Sequence, residues 1–295
     1  MERLVPPLLP NWLDSQLPFD RYLVEVGDGL KMHVMEVGEG RPMLLFHGNP
    51  TWGYLYRKVA AELNGEPVRL IMPDLIGLGF SDRPAMSYFT LANHSRWVAS
   101  LIETLGLEDV VAVVQDWGGP IGLHALSRFP GLMTALVVMN TSLGPPKPGF
   151  KPTTFHRFFS TKAGELASRW LGLPQNRLGF AQGDRKSISG IVQRSYSYPL
   201  KTRGSEAVIA FVRMVPDTLE HPSVTQLEEV AAFVDAYDGP AAIVWGDADP
   251  VLGRLRNRIS RQLPQATVTA TSAGHFLQEE VPEVIAAAIT SLTRT

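Results

Sequence analysis

Three side chains able to do acid–base and nucleophilic chemistry stand at the ends of apolar runs in this chain of 295 residues. Asp116 follows the run VVAVVQ and precedes Trp117 and two glycines; Asp249 lies in WGDADPVLG, and His275 in SAGHFLQEE. A carboxylate at the tip of a strand-to-helix turn can attack carbon and form an ester. Water attacking that ester at the aspartate's own carbonyl regenerates the carboxylate. The hydrolytic step needs a general base, for which His275 is the candidate. It also needs a second carboxylate, Asp249, to orient the imidazole and stabilise its charged form. Each residue has a plainer reading as well. An aspartate after a strand is commonly a helix N-cap, Asp247 and Asp249 suit a turn, and His275 fits the start of a helix. Together, in this order and each at a strand end, they favour the catalytic reading.

The elements that must position them follow from hydrophobic patterning. RYLVEVGDGLKMHVMEVGEG alternates on either side of Gly27-Asp28-Gly29 and predicts a hairpin. PMLLFHG, VRLIMPDLIGLG, TALVVMN, PAAIVWG and ATVTATSAGH read as further strands. LANHSRWVASLIETLGL is helical in spacing, with Leu91, Trp97, Val98, Leu101, Ile102 and Leu105 on one face. Strands alternating with helices predict an α/β fold with a mostly parallel central sheet flanked by helices. Residues 144–223 interrupt the alternation and are too long for a loop. They are expected to form a helical cap over the carboxyl ends of the strands, where open α/β sheets bind ligands. The core then comprises residues 1–143 and 224–295.

Composition narrows the function. Hydrophobic residues make up 45% and charged residues 19%, and the formal net charge is −2. That is a folded globular chain with no basic field for nucleic acid or anionic membrane. It contains no cysteine, which excludes disulfides and thiolate chemistry and agrees with a cytoplasmic location. No signal peptide and no membrane span are expected.

HGNPTWGYLYRKV, VVQDWGGPIGL, VWGDADPVLG and SAGHFLQEEVPEVI resemble the haloalkane dehalogenases of the α/β-hydrolase superfamily. That superfamily orders its triad as nucleophile, acid, histidine, often with serine in a G-x-S-x-G elbow where this chain has Asp116. The pairing of Asn49 in H-G-N-P-T with Gln115-Asp116-Trp117 is the more specific part. The resemblance implies a catalytic triad of Asp116, Asp249 and His275. It assigns the side chains of Asn49 and Trp117 to halide binding, and their backbone N–H groups to the oxyanion. A halide leaves without a proton and needs only neutral donors such as an indole or amide N–H. No metal or organic cofactor is implied; the partners are a small neutral haloalkane, water and the halide product. Some dehalogenases carry the acid after the strand before the cap, which ends here in Asn140. The resemblance therefore implies a later acid, and Asp249 rather than Asp247 aligns with the family's. Asp247 is then a turn residue, His47 structural, and Trp170 part of the cap core. Phe155, Phe158, Phe159 and Trp170 suggest an apolar pocket.

Epoxide hydrolases use the same triad, and add cap tyrosines as acids for the departing alkoxide; Tyr196 and Tyr198 are the candidates. Asn49, where epoxide hydrolases usually carry an aromatic, favours halide. Fluoroacetate-type dehalogenases place arginines beside the nucleophile, whereas Trp117-Gly118-Gly119-Pro120 follows Asp116 here. A ligand binder or a luciferase-like protein is the remaining alternative, and a binder has no need of a triad. The sequence does not specify the oligomeric state.

Overall fold

The computed structural model describes residues 2–293, the side chain of Phe155 excepted. Its centre is a sheet of eight strands: β1 (Asp20–Glu25), β2 (Lys31–Val37), β3 (Arg41–Phe46), β4 (Val68–Pro73), β5 (Val110–Gln115), β6 (Met133–Met139), β7 (Ala241–Gly246) and β8 (Thr267–Thr271). The spatial order is β1-β2-β4-β3-β5-β6-β7-β8. The expected hairpin is β1–β2, paired antiparallel, and β2 pairs antiparallel with β4. Every pairing from β4 to β8 is parallel. Every residue of β5 and of β7 is buried. Their continuous apolar runs therefore follow from helices covering both faces of the sheet.

The helices are α1 (Asn11–Asp14), α2 (Arg57–Glu62), α3 (Leu91–Leu105), α4 (Gly118–Leu126), α5 (Thr154–Phe159), α6 (Lys162–Leu171), α7 (Gly190–Arg203), α8 (Glu206–Arg213), α9 (Val224–Asp235), α10 (Arg256–Gln262) and α11 (Pro282–Thr293). α3 shows why the sequence forms them. Thr90 caps its first turn by accepting from the Asn93 N–H at 3.1 Å, and Gly106 closes it in the left-handed region at φ 57°. Its face of Leu91, Trp97, Val98, Leu101 and Ile102 is buried against the sheet. α3, α4 and α9 cover one side, and α2 and α11 the other.

The segment between β6 and β7 carries α5 to α9. Two cap expectations need correction. Trp170 is 74% exposed and Phe158 is 46% exposed, so neither is cap core. Only one stripe of the strongly amphipathic α6 is buried, and Trp170 falls on its solvent side. Phe155 lies outside the described side chains. Within the segment between β6 and β7, a small core instead gathers Phe159, Ile209 and Val212. Among the described residues, no helix is long and apolar enough to cross a membrane.

α4 packs almost flush on β3, and Gly118 makes that approach possible. A Cβ at Gly118 would lie 2.3 Å from the carbonyl oxygen of Phe46, a backbone atom that cannot rotate away. Gly118→Ala is therefore expected to destabilise the chain by about 1–3 kcal/mol, read as a lower urea midpoint. An unchanged midpoint would mean that the helix can lift without cost.

Candidate active site

The carboxyl ends of four adjacent strands supply four of the site's groups. Asp116 follows β5, Asn140 follows β6, Asp249 lies beyond β7, and His275 beyond β8. A parallel sheet delivers these ends to one edge, so residues far apart in sequence meet there.

Asp116 sits at φ 50°, in the left-handed region that side chains other than glycine seldom occupy. Its backbone is held on both sides. The N–H donates to Asn140 O at 3.0 Å, and the carbonyl accepts from Thr141 Oγ1 at 2.6 Å. The turn lifts the carboxylate off the end of β5, where the backbone N–H of Asn49 donates to Oδ1 at 2.8 Å. Gly48 makes room, since a Cβ there would fall 2.0 Å from that same oxygen. His47 braces this loop through both ring nitrogens. Nδ1 donates to Gly48 O at 2.9 Å, and Nε2 accepts from the Leu75 N–H at 2.9 Å. Burial lowers its pKa, in keeping with a neutral ring.

His275 lies between two carboxylates. Nδ1 is 2.8 Å from Asp249 Oδ2, and Nε2 is 3.5 Å from Asp116 Oδ2. Burial opposes its charged form, but the charge of Asp249, the contact with Asp116 and the hydrogen bond to Asp249 outweigh that and raise its pKa to about 10. Burial also works against an ionised Asp249. The charge of His275 and hydrogen bonds from His275, Asn140 Nδ2 (2.7 Å) and the Val251 N–H (2.7 Å) overcome it and hold its pKa below the usual value. The Asp116 side chain, 15% exposed, is the most open member of the three. The two flanking carboxylates both favour the charged form of the imidazole it faces.

Asn140 and Gln115 escaped the sequence reading as positioning groups. Asn140 spans β6, β7 and the acid: its amide donates to Gly246 O at 2.9 Å and accepts from the Gly246 N–H at 2.8 Å. Gln115 Nε2 donates to His275 O at 3.1 Å. Both occupy strand ends, where a buried amide signals a specific partner rather than apolar packing. Asp247 is exposed and pairs with Arg256.

Trp117 lies against Phe211 of α8, with ring centroids 6.2 Å apart, and borders the same cavity as Asp116. Asn49 spends one side-chain N–H on Val208 O of α8 at 3.0 Å. Its side-chain oxygen is buried with no hydrogen-bond partner among the described residues, and Asn49, unlike Trp117, is not among the residues lining the cavity. The cavity measures about 550 Å³ and runs outward past Pro120, His156, Leu227 and Leu252. Neither Tyr196 nor Tyr198 is among its lining residues. Both lie on α7, where a separation of two turns them to different sides. Tyr196 is fully buried and donates to Glu279 Oε1 at 2.6 Å, while Tyr198 packs on Trp12 and Phe80. Among the described residues, no group of three His, Asp or Glu side chains is arranged to hold a metal ion.

Known proteins share both this architecture and this sequence. Residues 41–282 match the family model of the alpha/beta hydrolase fold. A haloalkane dehalogenase of Mycobacterium marinum is 33% identical over 276 residues, covering 89% of this chain and 90% of that protein. The chain belongs to the haloalkane dehalogenase family. Among solved structures, the haloalkane dehalogenase DatA from Agrobacterium tumefaciens C58 superposes with a TM-score of 0.81 at 27% identity, over 94% of this chain and 97% of that one. The epoxide hydrolase CorEH also superposes, with a TM-score of 0.77 over 93% of this chain and 98% of that one, but at 23% identity it bears on the fold alone.

The raised pKa of His275 has a thermodynamic consequence for this family member. A histidine whose folded pKa exceeds its unfolded value stabilises the fold fully below the unfolded value, near 6.5, and loses that contribution as pH climbs toward about 10. The melting temperature should therefore fall across that interval more steeply in the native chain than in Asp249→Asn, which lacks the partner charge. Parallel slopes would show that the imidazole is not charged in the resting site.

Proposed function

We propose that this enzyme, a hydrolase of carbon–halide bonds, works through a covalent ester on Asp116. Asp116 attacks the halogen-bearing sp³ carbon from the side opposite the halogen, forming a carbon–oxygen bond while the carbon–halogen bond breaks and halide departs with the bonding pair. The indole N–H of Trp117 and the side-chain amide of Asn49 stabilise the leaving charge. The backbone N–H groups of Asn49 and Trp117 then serve the oxyanion, as water adds to the carboxyl carbon and His275 takes its proton. Collapse releases the alcohol and restores the carboxylate, giving alcohol, halide and one proton per turnover. Residues 144–223 act as the cap that closes the site, and the absence of cysteine agrees with a cytoplasmic enzyme. The reacting end of the substrate is neutral, because no basic residue immediately follows Asp116.

The observation that carries this reading is the position of His275, bonded to Asp249 on one side and 3.5 Å from Asp116 on the other. It also explains how one histidine serves two steps. While Asp116 is ionised, the imidazole is held charged. Alkylation neutralises Asp116 and removes one of the two negative charges, so the imidazole pKa falls and the ring becomes a base when the ester needs one. Epoxide opening lacks comparable support, because the side-chain contacts of Tyr196 and Tyr198 lie away from Asp116.

Asp116→Ala should abolish bromide release from 1,2-dibromoethane and 1-bromobutane, and His275→Phe should accumulate the alkyl ester, visible as a mass increase on the Asp116 peptide. Trp117→Phe should lower kcat/KM on the order of 100-fold by removing a halide donor. In ¹⁸O-water a single turnover should place the label in Asp116 and leave the alcohol unlabelled. Label in the alcohol at first turnover would mean that water attacks the substrate directly and that no ester forms.

A further inference from the structure

The outer end of the catalytic cavity is cationic. Arg254, Arg258 and Arg261 line it together with Lys147 from the segment after β6, and among the described residues Asp116 is the only carboxylate on its wall. The arginines follow one another at intervals of four and three residues. They run from the turn before α10 into α10, so that spacing brings all three to one face. Like charges stacked in this way repel. Among the described residues none of the four has a salt-bridge partner, in contrast to Arg256, which pairs outward with Asp247. Arg254 gives one N–H to Val251 O at 3.1 Å, and Arg258 gives one to Pro145 O at 2.8 Å. Each guanidinium retains further donors in a planar fork suited to an anion. The cluster is not an echo of a basic chain, since the formal net charge is −2.

Between this mouth and the nucleophile the wall is apolar, with Leu227, Val251 and Leu252. His156, on the cap side, lies within reach of both ends. Burial lowers its pKa, the Asp116 carboxylate acts to raise it, and the Arg254 guanidinium acts to lower it. The cavity thus has a carboxylate and an indole at its inner end, an apolar middle, and an unneutralised cationic mouth.

We propose that the preferred substrates are ω-haloalkanoates: haloalkanes with a neutral reacting carbon at one end and a carboxylate at the other, seated on Arg254, Arg258, Arg261 and Lys147. This rests on the reaction proposed above and specifies its substrate class. The anion lies far from the halogen, unlike an α-haloacid, whose carboxylate would need a basic group beside Asp116.

The test compares 6-bromohexanoate with 6-bromohexanamide, which match in length and differ in charge. The acid should show a kcat/KM about tenfold higher, and Arg254→Gln/Arg261→Gln, both exposed positions, should bring the ratio toward one. Arg254→Glu/Arg261→Glu should invert it. In a series of ω-bromoalkanoates the preference should peak at one chain length and vanish at bromoacetate. Calorimetric binding of hexanoate and hexanamide to the resting enzyme gives a readout that needs no turnover. Equal affinities, together with an acid-to-amide ratio that the variants do not move, would overturn the proposal. Tighter binding of hexanoate, lost in the double variant, with no bromide released from any substrate, would leave the anion site standing and remove the dehalogenation reading instead.

Discussion

The left-handed backbone of Asp116 is the constraint on which the rest of the site depends. An L-residue with a Cβ resists φ 50°, so the conformation persists only where neighbours over-determine it. Asn140 and Thr141 grip the peptide on either side, and Gly48 and Gly118 vacate the space that the turn and the following helix require. The reward is directional. A carboxylate carried over the edge of a buried sheet is open to the cavity, while its backbone remains fixed to β5 and β6.

Electrostatics then sets the roles of the two aspartates. Both lie beside one imidazole, yet Asp249 is wholly buried and tied by Asn140 and the Val251 N–H, whereas Asp116 retains 15% exposure and faces the cavity. The buried carboxylate accepts from three fixed donors, His275, Asn140 and the Val251 N–H, which suits the orienting role proposed for it. The open one suits the proposed nucleophile. The same amide that holds Asp249 also bonds the backbone of Gly246, so the distance between acid and base is tied to the register of β6 and β7 rather than left to a loop.

Much of this was legible in the sequence because the physics is local. Valine-rich runs with no polar face have to be central strands of a covered sheet, so the fold could be read from them, with Asp116 and Asp249 placed after two of them and His275 after the edge strand β8. Gly106 and Thr90 mark the ends of α3 by their own preferences. What stayed hidden depends on packing at a distance. Asn140 looked like the absence of a carboxylate; only the alignment of β6 beside β7 reveals it as the hydrogen-bond donor to Asp249. Trp170 suggested cap core by its type, but the rotation of α6 turns it to solvent. Tyr196 looked like an acid for epoxide opening until α7 carried it to Glu279.

Charge was the least legible feature, and the reason is geometric. Along the sequence Arg254, Arg256, Arg258 and Arg261 are equivalent basic residues in a chain of nearly balanced charge. The helical turn separates them into one that meets Asp247 and three that meet the cavity. No arginine or lysine lies in the segment Trp117-Gly118-Gly119-Pro120 after Asp116, so on the proposed mechanism halide stabilisation falls to uncharged N–H groups. A guanidinium at the inner end would pair with Asp116 and blunt the nucleophile. On the proposed reading, a guanidinium at the mouth can meet an anionic tail without competing for the carboxylate that attacks carbon.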